Sequence, residues 1–159
     1  MQQTHYIIDG YSLLHVKHPG QLGSKIQLDH HREALIREID QWRRKADYVT
    51  LVFDGRQFSR AAQSRTEHFH IVYTNKNQSA DAYIERLCHE LPKPETSTVV
   101  SNDRAIIELT AASGCFTRSC NMFLYDLEGQ SRTLARKRVQ INQQIKRPTL
   151  GDFFPDSPK

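Results

Sequence analysis

Apolar residues along the chain fall into two alternating regimes. Short, nearly continuous β-rich runs occur at His5-Tyr-Ile-Ile-Asp9, Tyr48-Val-Thr-Leu-Val-Phe-Asp54, Phe69-His-Ile-Val-Tyr-Thr74 and Thr98-Val-Val-Ser-Asn-Asp103, and Asn121-Met-Phe-Leu-Tyr-Asp-Leu127 supplies a fifth candidate strand. Continuous apolar runs of this length suit strands buried on both faces. Between them the period changes to that of a helix. Leu28, Leu35, Ile36, Ile39 and Trp42 share one face, with Arg32, Glu33, Arg37, Asp40 and Arg44 on the other, which predicts a helix over about 29–46. Ser79 is placed to N-cap a second helix carrying Tyr83, Ile84, Leu87, Cys88 and Leu91 and stopped by Pro92; a third follows Asp103 and ends at Gly114. The stretch holding His15, Lys17 and His18 reads as a loop.

Strands joined through crossover helices run parallel, so their C-terminal ends lie along one edge of an open sheet, where α/β proteins bind ligands. The expected fold is therefore an α/β, three-layer, mainly parallel sheet with helices on both faces. Asp9, Asp54 and Asp103 each close a predicted strand, and Asp81 lies in the first turn of the helix after the third. At about 5 Å and an effective dielectric near 20, each ionised pair would repel by about 3 kcal/mol. Protonation, arginine partners or a bound cation could offset that, and an all-oxygen donor set suits hard Mg²⁺ or Mn²⁺. Each acid taken singly also has a plainer role, as the cap of the next helix or part of a turn.

Rival chemistries at such an edge fail on particular residues. Position 11 is Tyr, where a haloacid-dehalogenase-type phosphatase needs a second Asp, and Asp9 lacks the acidic neighbour of a receiver domain. No P-loop and no GxGxxG occurs. The three cysteines, Cys88, Cys115 and Cys120, form no CxxC pair and read as reduced, mostly buried thiols. No run can span a bilayer, and the start of the chain reads as a first strand and not a signal peptide, so a cytoplasmic protein is expected.

The 159 residues are 38% apolar and 25% charged, a globular profile, with a net charge of +4 that matters through its placement. Arg56, Arg60 and Arg65 follow Asp54 and are the first candidates to hold a phosphate backbone against an acidic site. Tyr11, Phe58 and Tyr83 are candidates to stack on a base, although aromatics in apolar patterns more often pack in a core. His15, Lys17 and His18 could join the clamp. Arg132, Arg136, Lys137, Arg138, Lys146 and Arg147 form a further basic stretch that either extends a nucleic-acid track or is a solvated terminal element.

Ile8-Asp9-Gly-Tyr-Ser-Leu-Leu14, Val52-Phe-Asp-Gly55, Ser79-Ala-Asp-Ala-Tyr-Ile-Glu-Arg86 and Val100-Ser-Asn-Asp103 resemble, in order, the motifs of the NYN domain in its YacP-like branch, part of the PIN-like nuclease superfamily; Gly114-Cys-Phe-Thr-Arg-Ser119 resembles that branch's late glycine-containing segment. The resemblance implies a PIN-like nuclease domain over 1–147 and a metal-dependent endoribonuclease activity. Asp9, Asp81 and Asp103 would be catalytic. Asp9, Asp54, Asp81 and Asp103 would hold Mg²⁺ or Mn²⁺, and Ser12, Tyr11, Arg56, Arg60 and Arg65 would contact nucleic acid. The implied partner is RNA, single-stranded or structured, including ribosome-associated RNA; metal-activated hydrolysis needs no 2′-OH, so DNA also fits, and no membrane partner is implied.

Two departures stand out: Ser12 replaces the usual Asn, and Ala82 replaces an acidic residue that often follows the helix Asp. They motivate an alternative reading, an RNA-binding module with weak or no cleavage. Glu85 lies one turn beyond Asp81, where it could reach a metal through water or pair with Arg86 or His89. Residues 148–159 read as a proline-rich tail; its Leu150, Phe153 and Phe154 resemble the apolar end of a sliding-clamp peptide and motivate a third reading, a clamp-tethered DNA nuclease whose tail enters a partner's groove.

Overall fold

The computed structural model describes residues 3–44, 47–55, 63–75 and 77–144, with 63–65, 131, 134, 138 and 140–144 described by their backbone alone. Its elements run β1 (His5–Asp9), α1 (Gly10–Lys17), α2 (Lys25–Trp42), β2 (Tyr48–Phe53), β3 (Gln63–Thr66), β4 (Phe69–Tyr73), α3 (Ala80–Glu90), β5 (Ser97–Val100), α4 (Arg104–Ala112), β6 (Phe116–Arg118) and α5 (Cys120–Gln144). The sheet order is β3-β4-β2-β1-β5-β6. All neighbours pair in parallel except β3, which returns antiparallel to β4 with a register shift between Ser64 and Thr66. The chain divides into two compact units, Met1–Leu127 and Glu128–Lys159.

Alternation along the strands builds the layers of the first unit. Ile8, Leu51, Ile71 and Val100 pack in a cluster with Leu13 and Leu14 of α1, Leu35, Ile36 and Ile39 of α2, and Phe123, Leu124 and Leu127 of α5. Their strand neighbours Ile7, Val52, Val72 and Val99 point to the other face and meet Ile84 and Cys88 of α3 and Ile106 of α4. A sheet buried on both faces needs apolar residues at both phases of the strand, which is why these segments read as unbroken runs.

Several elements differ from the sequence reading, among them the unexpected strand β3 (Gln63–Thr66). Residues 121–127 begin α5 and are not a strand. Cys120, Phe123, Leu124 and Leu127 are its buried positions, a spacing of three, four and seven that only a helix places on one side, and Ser119 Oγ accepts from the Met122 N–H at 3.3 Å to start it. The last strand is instead Phe116–Arg118. The stretch after β1 is a helix and not a loop, because Asp9 caps it and Leu13 and Leu14 reach the core. Finally, α2 starts at Lys25, ahead of the expected 29, where Ser24 Oγ accepts from the Gln27 N–H at 3.2 Å.

Both Asp-Gly pairs have a steric cause. A Cβ on Gly10 would lie 2.3 Å from the Phe53 ring, and one on Gly55 would lie 1.6 Å from the Thr74 carbonyl oxygen. Glycine after each acid leaves room for a close neighbour, the Phe53 ring at Gly10 and the Thr74 backbone at Gly55. Gly55→Ala is therefore expected to cost about 3 kcal/mol in urea unfolding. Gly23→Ala, where an added Cβ meets nothing within 4 Å, should stay within about 0.5 kcal/mol.

Candidate acidic site at the sheet edge

The strand order places β1 between β2 and β5, and chain progression reverses there: β2 and β4 lie to one side, β5 and β6 to the other. In a parallel sheet this reversal opens a crevice at the strands' C-terminal ends. Asp9 ends β1, Asp54 follows β2, Asp103 follows β5, and Asp81 is the second residue of α3. The topology thus brings four acids from distant parts of the chain to one edge.

Their local roles differ. Asp9 is 7% exposed, and both its oxygens are engaged: Oδ1 accepts from the Ser12 N–H at 3.1 Å and Oδ2 from the Ser101 hydroxyl at 3.1 Å. Asp103 is exposed and caps α4, Oδ1 accepting from the Ala105 and Ile106 N–H groups at 2.8 and 3.3 Å. Two of the four therefore do perform the plainer capping role. Ser79 takes that role for α3, accepting from the Ala82 N–H at 3.2 Å, which leaves Asp81 uncommitted to the cap. Asp54 is half-buried beside Gly55, whose N–H donates to Thr74 Oγ1 at 3.1 Å.

Ser101 is the residue that sequence reasoning missed. Fully buried, its hydroxyl donates to Asp9, accepts from the Asp103 N–H at 3.0 Å and lies 3.5 Å from Ser12 Oγ. It ties the ends of β1 and β5 together. Asn102 extends the tie, its Oδ1 accepting from the Cys120 N–H at 2.8 Å. The signal lay in the polar Ser-Asn pair between an apolar strand and a helix-capping Asp, a place where side chains bond to backbone. Burial, and then the negative charge of Asp9, pushes the buried Cys120 thiol up to about 12, so it stays protonated and offers no thiolate.

Electrostatics records how near the acids are. The Asp81 carboxyl is raised above its ordinary range, first by burial and then by the charges of Asp9, Asp103 and Asp54. Among the described residues, no three His, Cys, Asp or Glu side chains gather closely enough to enclose a metal ion. The donor set is nevertheless that of a hard cation, all carboxylate oxygen, and its mutual repulsion is what a cation would relieve.

The candidate nucleic-acid contacts divide. Arg56, Phe58 and Arg60 lie outside the described residues, and Arg65 enters only through its backbone in β3. Tyr11 packs edge-on against Phe53, with ring centroids 5.4 Å apart, in the core cluster. Ser12 faces Ser101. Lys17 pairs with Glu38, His18 stacks on His31 at 3.9 Å, and Tyr83 packs against the second core cluster with the Arg86 guanidinium 5.7 Å from its ring centre. Arg86 pairs with Glu90, not Glu85. Arg32, expected on the polar face of α2, is buried: it pairs with Asp29 at 2.8 Å and lies 5.4 Å from the ring centre of Tyr73, which stacks on Phe53. Two aromatic faces and a carboxylate stand in for the water it gives up. Tail residues Leu150, Phe153 and Phe154, with Lys146 and Arg147, lie outside the described residues.

The electrostatic coupling has a measurable sign. Because the native Asp81 carboxyl titrates above its unfolded value, stability falls as pH rises through the interval between the two. Asp9→Asn should lower the Asp81 pKa, as read by carboxyl-carbon NMR titration. Asp81→Asn should raise the melting temperature at pH 7 and not at a pH below the ordinary carboxylate range. Ser101→Ala, which strands a buried carboxylate oxygen and an N–H, should cost about 1–3 kcal/mol in urea unfolding.

The YacP-like NYN domain model matches residues 6–157. Solved structures of a Bacillus subtilis protein share the fold. Rae1 (YacP) from Bacillus subtilis superposes with a TM-score of 0.74 at 20% identity, covering 89% of this chain and 83% of that one. A point mutant of the same protein gives 0.72 at 22%, covering 91% and 87%. No curated protein sequence matches. The family match over nearly the whole length, on a PIN-like α/β sheet, makes this chain a member of the YacP-like NYN family, within a nuclease-like superfamily.

Proposed function

We propose that the chain is a metal-dependent endoribonuclease that hydrolyses RNA phosphodiester bonds at the C-terminal edge of its sheet. What supports this reading is the placement of Asp9, Asp54, Asp81 and Asp103 along one edge of the sheet about β1, in a chain of a nuclease-like family. Asp9, Asp81 and Asp103 form the catalytic set, and Asp54 completes the oxygen shell for Mg²⁺ or Mn²⁺. When bound there, such an ion supplies an acidified water and neutralises charge on the leaving oxygen.

The protein's own residues fix the geometry. Ser101 and the Ser12 N–H hold both Asp9 oxygens in orientation, so this carboxylate is aligned before any ligand arrives. Asp81, free of capping duty and raised in proton affinity by burial and then by its acidic neighbours, is an acid that a cation would relieve. Ser12 presents a hydroxyl rather than an amide to the site, one donor in place of two.

A second reading is an RNA-binding module without efficient cleavage. Asp9 and Asp103 are engaged as caps, and no three described ligands close around one point. Incubating labelled single-stranded RNA with the pure protein in Mn²⁺, Mg²⁺ or EDTA separates the two. The nuclease reading expects cleavage with either metal, none in EDTA, and products ending in 5′-phosphate and 3′-hydroxyl. Asp9→Asn and Asp81→Asn should each lower the metal-stimulated rate by about 100-fold or more with the far-UV circular dichroism unchanged. Cleavage retained by both variants would reject the assigned site, and binding without cleavage under every metal would favour the module.

A further inference from the structure

The positive charge of the chain is not where its acidic site is. Met1–Leu127 carries 15 basic and 15 acidic residues and is formally neutral, while Glu128–Lys159 carries 7 basic against 3 acidic and holds the entire net +4. The net charge of that unit contributes no long-range attraction for a polyanion.

Within the second unit, α5 runs to Gln144, and from Gly129 to that residue its sequence contains no Asp or Glu. Arg132, Arg136 and Lys137 are all exposed there. Arg132 and Arg136 are four residues apart, which sets them on one stripe about 6 Å apart along the helix axis. Among the described residues, Arg132 pairs with Glu128 at 3.4 Å, with the two side chains 77% and 57% exposed. A pair that open to solvent is weak and readily exchanged for another anion.

We propose that this basic face of α5 is an RNA-backbone grip: Arg132, Arg136 and Lys137 bind phosphates of a single strand and supply electrostatic attraction that the net charge of the neutral unit does not. The choice of RNA as the polyanion rests on the nuclease reading; the grip itself does not require cleavage. Contacts of this kind ignore base identity, so the grip sets affinity and salt sensitivity, not sequence preference.

The test uses the full-length protein in EDTA, where binding is measured without cleavage, by anisotropy of a fluorescein-labelled single-stranded 20-mer RNA across a KCl series. R132Q/R136Q/K137Q should weaken binding at low salt and flatten the log–log salt slope by about 2, since each lost single-strand phosphate contact removes about 0.7. Gln sustains a helix about as well as Arg or Lys, and circular dichroism checks that α5 persists. R132K/R136K should keep the wild-type slope, because a phosphate contact needs the charge and not the guanidinium fork. R86Q/K93Q, two exposed cations of the neutral unit, should leave it unchanged. A triple variant with wild-type affinity and slope overturns the proposal. So does an equal loss in R86Q/K93Q, or binding to phosphatidylserine vesicles without binding to RNA. Cleavage absent under every metal but a flattened slope would refute the nuclease reading alone.

Discussion

Parallel pairing of β1 with β5, in which Ile8 stands opposite Val100, brings Asp9 level with the turn that leads to Asp103. Ser101 then closes the gap by donating to the carboxylate of one and accepting from the amide of the other. Everything at the edge depends on that register. A slip of one residue would turn Ile7 and Ile8 to the wrong faces, and both core clusters would lose their central strand. The burial that stabilises the domain and the alignment of its acids are thus enforced by the same pairing.

Capping and chemistry need not compete for a carboxylate. Asp9 caps a helix that starts directly from a strand end and Asp103 one that follows a strand after three intervening residues, and the capping fixes their orientation. An acid held by a hydroxyl and a backbone N–H loses little freedom when a ligand arrives, which lowers the cost of assembling the site. The penalty appears at Asp81, whose proton affinity rises first through burial and then through the charges of its neighbours. Such concentrated repulsion is expected where function is weighed against stability.

What was legible in the sequence was what topology and period determine. The four strands with apolar runs, the helix after Ser79 and the edge position of the acids all follow from alternation and capping signals. The failures share a cause. Residues 121–127 look β-rich by composition, yet the buried positions Phe123, Leu124 and Leu127 follow a helical period that a short window obscures. The helix after Asp9 carries its apolar residues Leu13 and Leu14 side by side, so it has almost no face to read. Arg32 sits in a polar helical phase, and only the packed rings of Phe53 and Tyr73 show why a guanidinium tolerates burial there. Ser101 gains its importance from partners 92 residues upstream and two downstream, which no local pattern reveals.

The two margins of the sheet are finished differently. On one side β3 reverses direction against β4 and breaks register between Ser64 and Thr66; on the other, β6 is only 3 residues long. An unpaired margin is a template for stray extended chain, and irregularity or brevity are two ways to deny it a foothold. A parallel sheet with apolar strands would otherwise be an inviting surface for further strands of its own kind. Reversal with a broken register on one border and brevity on the other leave both described margins poor templates for an added strand.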